Sequence, residues 1–146
     1  MEVSLVPPDL IEGLWPRIFP HLSKAAEYTF GRYEPEDIMH YTMSGEAHLW
    51  VVLTEDDIIG ITVTRFWQYP RKRCLDLVFL GGDEGFSWKE AMLETLNAWA
   101  ADSGCEAIEA AARPAFARVF KDDGYRTLWQ VFELPVKDTG LGAVDG

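Results

Sequence analysis

The chain has 146 residues, 48% of them hydrophobic, enough for one domain with a continuous buried core and no need of a disulfide or metal staple. A formal net charge of −11 and a pI near 4.6 repel a polyphosphate backbone over most of the surface, which argues against direct nucleic-acid binding. No charged segment leads into a long apolar run and no stretch of about 18 apolar residues occurs, so neither a standard secretion signal nor a membrane span is expected, and the cytoplasm is the expected location.

In chain order, Met1 to Val6 alternates as a short strand and Pro7-Pro8 ends it. Asp9 then caps a helical stretch carrying Leu10, Ile11, Leu14, Trp15, Ile18 and Phe19, which Pro16 and Pro20 are expected to break or kink. A second helix opens at Glu34-Pro35-Glu36-Asp37, with proline in its first turn and acids near the positive helix end, and Gly45 stops it. Three strands follow in close succession, Ala47 to Thr54, Ile58 to Trp67 and Cys74 to Leu80, whose short links predict an antiparallel meander.

The period then changes. Ser87-Trp88-Lys89-Glu90 reads as a capping box, and Trp88, Met92, Leu96 and Trp99 recur at helical spacing until Gly104. After it come a strand, Cys105 to Ala112, a short helix, Pro114 to Asp122, ended by Gly124, and a last strand, Tyr125 to Val136, with alternating Leu128, Val131 and Phe132. The expected class is α/β (α+β) with a mixed sheet in the order β-α-α-β-β-β-α-β-α-β. Residues 1–136 form a single domain, and 137–146 a polar, Gly-rich C-terminal tail.

Cys74 and Cys105 sit in apolar runs and belong to no CxxC or Cys/His spacing, and His21, His40 and His48 are scattered, so free thiols and no metal are expected. Arg71-Lys72-Arg73, with Arg65 nearby, reads as a solvated turn rather than an anion site. Six Trp, eight Phe and five Tyr exceed what a core of this size readily hides, so some aromatic surface is expected to meet a ligand, a partner or another copy.

The order of elements resembles the GNAT acetyltransferase fold over residues 1–136, with Gly124-Tyr125 standing where that family has a glycine-aromatic pair opening its final strand. Arg113, Ala115, Phe116, Arg118, Val119, Gly124-Tyr125 and Glu133-Leu134 resemble a divergent branch of the family encoded by tailed bacteriophages. The resemblance implies an acetyl-CoA pyrophosphate site on the loop before the second-half helix, where Gly82, Gly85, Phe86 and Ser87 correspond, because unsatisfied N–H groups at a helix start favour anions. Asp83, Glu84 and Glu90 crowd that loop with negative charge. The family's thiolate-protonating tyrosine falls on Phe120, which has no hydroxyl. Asp76, or Asp57, remains as a candidate base if the chain is active, while Cys74 and Cys105 lack an adjacent base. These residues imply a GNAT-fold protein with a degraded acetyl-CoA site and no cofactor, a phage accessory or virion-associated structural protein. It would act in the host cytoplasm or the virion, through contacts with other assembly proteins or with itself. The alternative is an acetyl-CoA-dependent N-acetyltransferase of unknown acceptor.

Overall fold

Pro16 and Pro20 do not break the first helix; both lie inside α1, Pro8–Ala26. Proline removes an N–H and crowds the carbonyl four residues back, but these two sit one turn apart on the exposed side. Opposite them, Ile11, Ile18 and Leu22 are at most 1% exposed, and burying that stripe holds the helix through both prolines. The computed structural model describes residues 1–83 and 87–137. Its contacts fall into two units, Met1–Ala111 and a second beginning at Ala112.

In the first unit, β1 (Glu2–Leu5), β2 (His48–Leu53), β3 (Ile58–Tyr69), β4 (Lys72–Gly82) and β5 (Ala107–Ala110) form one sheet in that order. The first three pairings are antiparallel and the last, β4 with β5, is parallel. The meander is therefore as expected, with β3 and β4 running further toward the Pro70-Arg71 turn than their apolar runs indicate. α2 (Pro35–Ser44) carries a capping box in which the Glu34 backbone N–H donates to Asp37 Oδ2 at 2.9 Å, and Gly45, at φ +85°, ends it.

Alternation along the strands divides the core. Leu49, Val51, Ile61, Val63 and Phe79 join Ile11, Ile18, Leu22 and Ile38 on the α1/α2 side. On the other side, Trp50 and Phe66 meet Trp99 of α3 (Lys89–Asp102), with ring centroids 5.0 Å apart in each pair. The expected Ser87 capping box is not formed: α3 starts after Trp88, which makes no side-chain cap bond, and Ser87 is exposed. Trp88 is 1% exposed, and burial of its indole sets where the helix begins.

α3 ends in a Schellman motif: Cys105 N–H donates to Ala100 O at 2.9 Å and Gly104 N–H to Ala101 O at 3.1 Å, with Gly104 at φ +77°. The second unit repeats the device. α4 (Pro114–Asp122) closes with Tyr125 N–H on Phe120 O at 3.0 Å and Gly124 N–H on Lys121 O at 3.1 Å, and the Phe120 and Tyr125 rings pack at 5.0 Å. The expected final strand, Tyr125 to Val136, is not formed. Residues 125–136 have no regular structure, and Leu128, Trp129, Val131, Phe132, Leu134 and Val136 are exposed.

Three glycines set how closely the layers meet. A Cβ on Gly60 would lie 2.6 Å from the Trp88 ring, one on Gly82 2.5 Å from Ile59 O, and one on Gly81 3.3 Å from His21 O of α1. A Cβ on Gly13 in α1 meets nothing within 4 Å. In chemical denaturation, Gly82→Ala is expected to lose about 1–3 kcal/mol through overpacking, whereas Gly13→Ala gains about 0.5–1 kcal/mol from helix propensity.

Candidate functional site

The polar residues of unit 1 that come together do so where β4 parts from β5. The parallel register runs Cys74↔Ala107, Leu75↔Ile108, Asp76↔Glu109 and Leu77↔Ala110. β4 continues to Gly82, so Val78 to Gly82 extends past its neighbour. At the same point β4 bulges: Val63 pairs with Phe79 and Thr64 with Leu77, which leaves Val78 as the extra residue.

Directly opposed positions share a face, so Arg65, Asp76 and Glu109 form a row across β3, β4 and β5. Arg65 Nε donates to Asp76 Oδ2 at 2.9 Å, and its guanidinium lies 4.8 Å from the Trp67 ring centroid. Tyr69 Oη donates to Glu109 Oε1 at 2.6 Å. Burial pushes the Asp76 carboxyl above the usual carboxylate range; the Arg65 bond and charge pull it back, and Glu109 pushes it further up. The Tyr69 phenol is pushed up to about 12, chiefly by its hydrogen bond to Glu109.

Beside this row a cleft of about 130 Å³ is lined by Tyr33, Ile38, Tyr41, Glu46, Arg65 and the bulged Val78, among others. It presents two phenols, a carboxylate and a guanidinium over an apolar floor. A second cavity, about 150 Å³, lies between the β1 end and α2, and its walls are apolar apart from Thr42 and His48. The His48 imidazole is pushed down by burial, packs against Phe66 and Trp99, and lies 3.3 Å from Thr64 Oγ1.

The residues singled out from sequence are dispersed. Asp76 lies in the row. Gly82 is at the far end of β4, opposite Gly60 and against Trp88. Ser87 is exposed before α3, and Gly85 and Phe86 lie outside the described residues. Asp57 is in the β2–β3 turn, where its Oδ1 accepts the Ile58 N–H at 2.8 Å. Phe120 packs on Tyr125 in the second unit. Cys74 is buried, with its thiol pushed up by that burial, and Cys105 is half-buried; both are free. Of the basic turn, Arg71 and Lys72 are exposed as expected, whereas Arg73 lies 4.2 Å from the Phe66 ring centroid and donates to Ser103 O at 3.3 Å, and Arg65, partly exposed, is paired with Asp76. Glu109, Tyr69, Tyr33, Tyr41 and Glu46 carried no signal of their own in the sequence. Pairing of β5 with β4 could have located Glu109 once Asp76 was chosen.

Among the described residues no group of three or more His, Cys, Asp or Glu is placed to hold a metal, and no helix is long and apolar enough to cross a membrane.

The chain matches no protein-family model and no curated protein. Among solved structures it is similar to a probable acetyltransferase at TM-score 0.72 and 14% identity, over 94% of this chain and 100% of that one. It is also similar to a ribosomal-protein-alanine N-acetyltransferase from Brucella melitensis biovar Abortus 2308 (TM-score 0.71, 13% identity, 93% and 100% covered). A third likeness is to an aminoglycoside acetyltransferase from an uncultured soil metagenomic sample (TM-score 0.69, 14% identity, 93% and 96% covered). At these identities the likeness carries the fold, which is of the GNAT type, α+β with a five-stranded mixed sheet.

The Tyr69–Glu109 bond is testable by ultraviolet titration of tyrosinate. A phenol ionising near pH 12 is expected in the native chain, and Glu109→Ala should return it toward the ordinary value of about 10. Because the folded pKa is the higher one, the stabilisation from this bond is present below about pH 10 and lost as pH rises through about 12.

Proposed function

We propose that the protein is an acetyl-CoA-dependent N-acetyltransferase whose base is Asp76. The observation that carries this reading is the release of β4 from β5 after the Leu77↔Ala110 pair, one residue beyond Asp76↔Glu109. A strand edge freed from its ladder offers backbone N–H donors to an acyl oxygen, and a carboxylate raised by burial stands next to it to take a proton from an amine. The amine nitrogen would attack the thioester carbonyl, the C–S bond would break, and the amine proton would pass to Asp76. Phe120 has no hydroxyl, so the departing thiolate would take its proton from water. At the far end of β4, the approach that Gly82 leaves open is taken up by Trp88, so the pantetheine arm would have to follow the Val78 to Gly81 edge instead.

A second reading, a non-catalytic GNAT-fold module acting through protein contacts, is favoured by two observations. Asp76 is already held by Arg65 at 2.9 Å, and Phe120 lacks the acid. Its narrower form, an accessory or virion-associated phage component, rests on the Arg113 to Leu134 sequence pattern alone.

Titration calorimetry with acetyl-CoA, followed by a thiol-release assay over a panel of amines, separates the two. Micromolar binding with turnover is expected, cut on the order of 100-fold or more by Asp76→Asn with the far-ultraviolet spectrum unchanged. Absence of binding at millimolar acetyl-CoA would overturn the enzyme reading and leave the contact module. In an active protein the acid limb of the kcat/KM profile should lie above the ordinary carboxylate range. Glu109→Gln should move it down, since the Glu109 charge raises Asp76.

A further inference from the structure

We infer that the acceptor is an α-amino acid, whose carboxylate binds the Arg65 guanidinium while its α-amine stands beside Asp76. The inference rests on the acetyltransferase reading above and names the substrate class of that site. Asp76 is a poor base while Arg65 holds it: Nε of Arg65 lies 2.9 Å from Asp76 Oδ2, so that carboxylate is already engaged by a cation. A plain amine adds a second difficulty, because its ammonium must settle next to a guanidinium of like charge. A zwitterion removes both. Its carboxylate gives Arg65 another partner and its ammonium faces Asp76, so four charges alternate in one place and none is added to a chain of formal net charge −11.

Arg65 is placed to take that carboxylate. Its side chain is 38% exposed against 18% for Asp76, and its bond to Asp76 uses Nε, so the guanidinium keeps N–H donors within reach of a solute. The Tyr33 hydroxyl is a hydrogen-bond partner of the same guanidinium. A phenol oxygen that accepts from Arg65 turns its own O–H to another acceptor, and a carboxylate seated on Arg65 is one. Both residues line the cleft of about 130 Å³, whose apolar part, Ile38, Val63 and Val78, receives the side chain of the acceptor. Pockets for drug-sized ligands run to roughly 300–1,000 Å³, so the acceptor is small. Glu46, exposed in the same wall, repels a carboxylate and turns it toward Arg65. Every residue of this arrangement belongs to the first unit.

The test uses the full chain at saturating acetyl-CoA and compares L-leucine with L-leucinamide, which keeps the side chain and a less basic, more readily deprotonated amine but has no carboxylate. Thiol release should favour L-leucine in kcat/KM by about tenfold or more. Arg65→Met should bring that ratio down to about one, the loss falling on L-leucine. A ratio cancels any change in Asp76 that both substrates feel. Equal use of the two compounds by the native chain, or a preference for L-leucine that survives Arg65→Met, overturns the amino-acid inference and leaves the acetyltransferase reading standing. Absence of thiol release with every amine of the panel overturns that reading, and this inference with it. Should Arg65→Met fail to fold, Tyr33→Phe takes its place: it removes a donor to the carboxylate without removing a charge, and should lower the ratio severalfold. An unchanged ratio in that variant overturns the inference.

Discussion

The layers of the first unit are fastened together at one place, the glycine end of the β3–β4 hairpin. Gly81 admits the backbone of α1 on one face, and Gly60 with Gly82 admits the Trp88 ring on the other. Each glycine omits a side chain where a helix layer must come within van der Waals reach, so both helical layers lock to the same short stretch of sheet. The rest of the architecture hangs from that clamp. It fixes where α3 begins, and through α3 it fixes the crossover that delivers β5 in parallel to β4. The parting of β4 from β5 begins in mid-strand at Val78, and the freed edge runs from there to the clamp at Gly82.

Much of this architecture was legible in the sequence because local signals agreed with one another. The meander, the α2 cap and the helical period from Trp88 to Trp99 are each written in adjacent residues. The misreadings came where a distant contact outranks a local one. Pro16 and Pro20 read as breakers, but the apolar stripe on the far side of α1 decides the helix. Ser87 reads as a cap, but burial of Trp88 decides the boundary. Tyr125 to Val136 reads as a strand, and its composition is that of a strand, but a strand needs a neighbour and composition cannot supply one. Gly82 reads as part of an anion cradle because the absence of a side chain serves close approach by any group, and in the structure the Trp88 ring lies against it. Asp76 was visible as a strand acid, while Glu109 became its neighbour only through parallel pairing, which no local spacing encodes.

Charge is distributed with the same economy. The row Arg65, Asp76, Glu109 and Tyr69 couples three strands through two short hydrogen bonds. Asp76 is held between an opposite charge on β3 and a like charge on β5, with burial tipping the balance toward the neutral acid. A carboxyl balanced in this way responds to any cation or amine brought beside it, which is the electrostatic basis for reading the row as a site rather than as a structural brace.

The extra residue at Val78 changes what β4 as a whole can be. In an unbroken strand, residues 76 and 79 would face opposite sides, and with Phe79 and Gly81 turned toward α1, Asp76 would project among Phe66 and Trp99. The bulge inserts a half-period, so the strand is out of phase with itself across Val78, and its first half presents charge on the very face where its second half presents core. One strand is thereby divided into a chemical half and a packing half, each free to vary in sequence without disturbing the other's alternation.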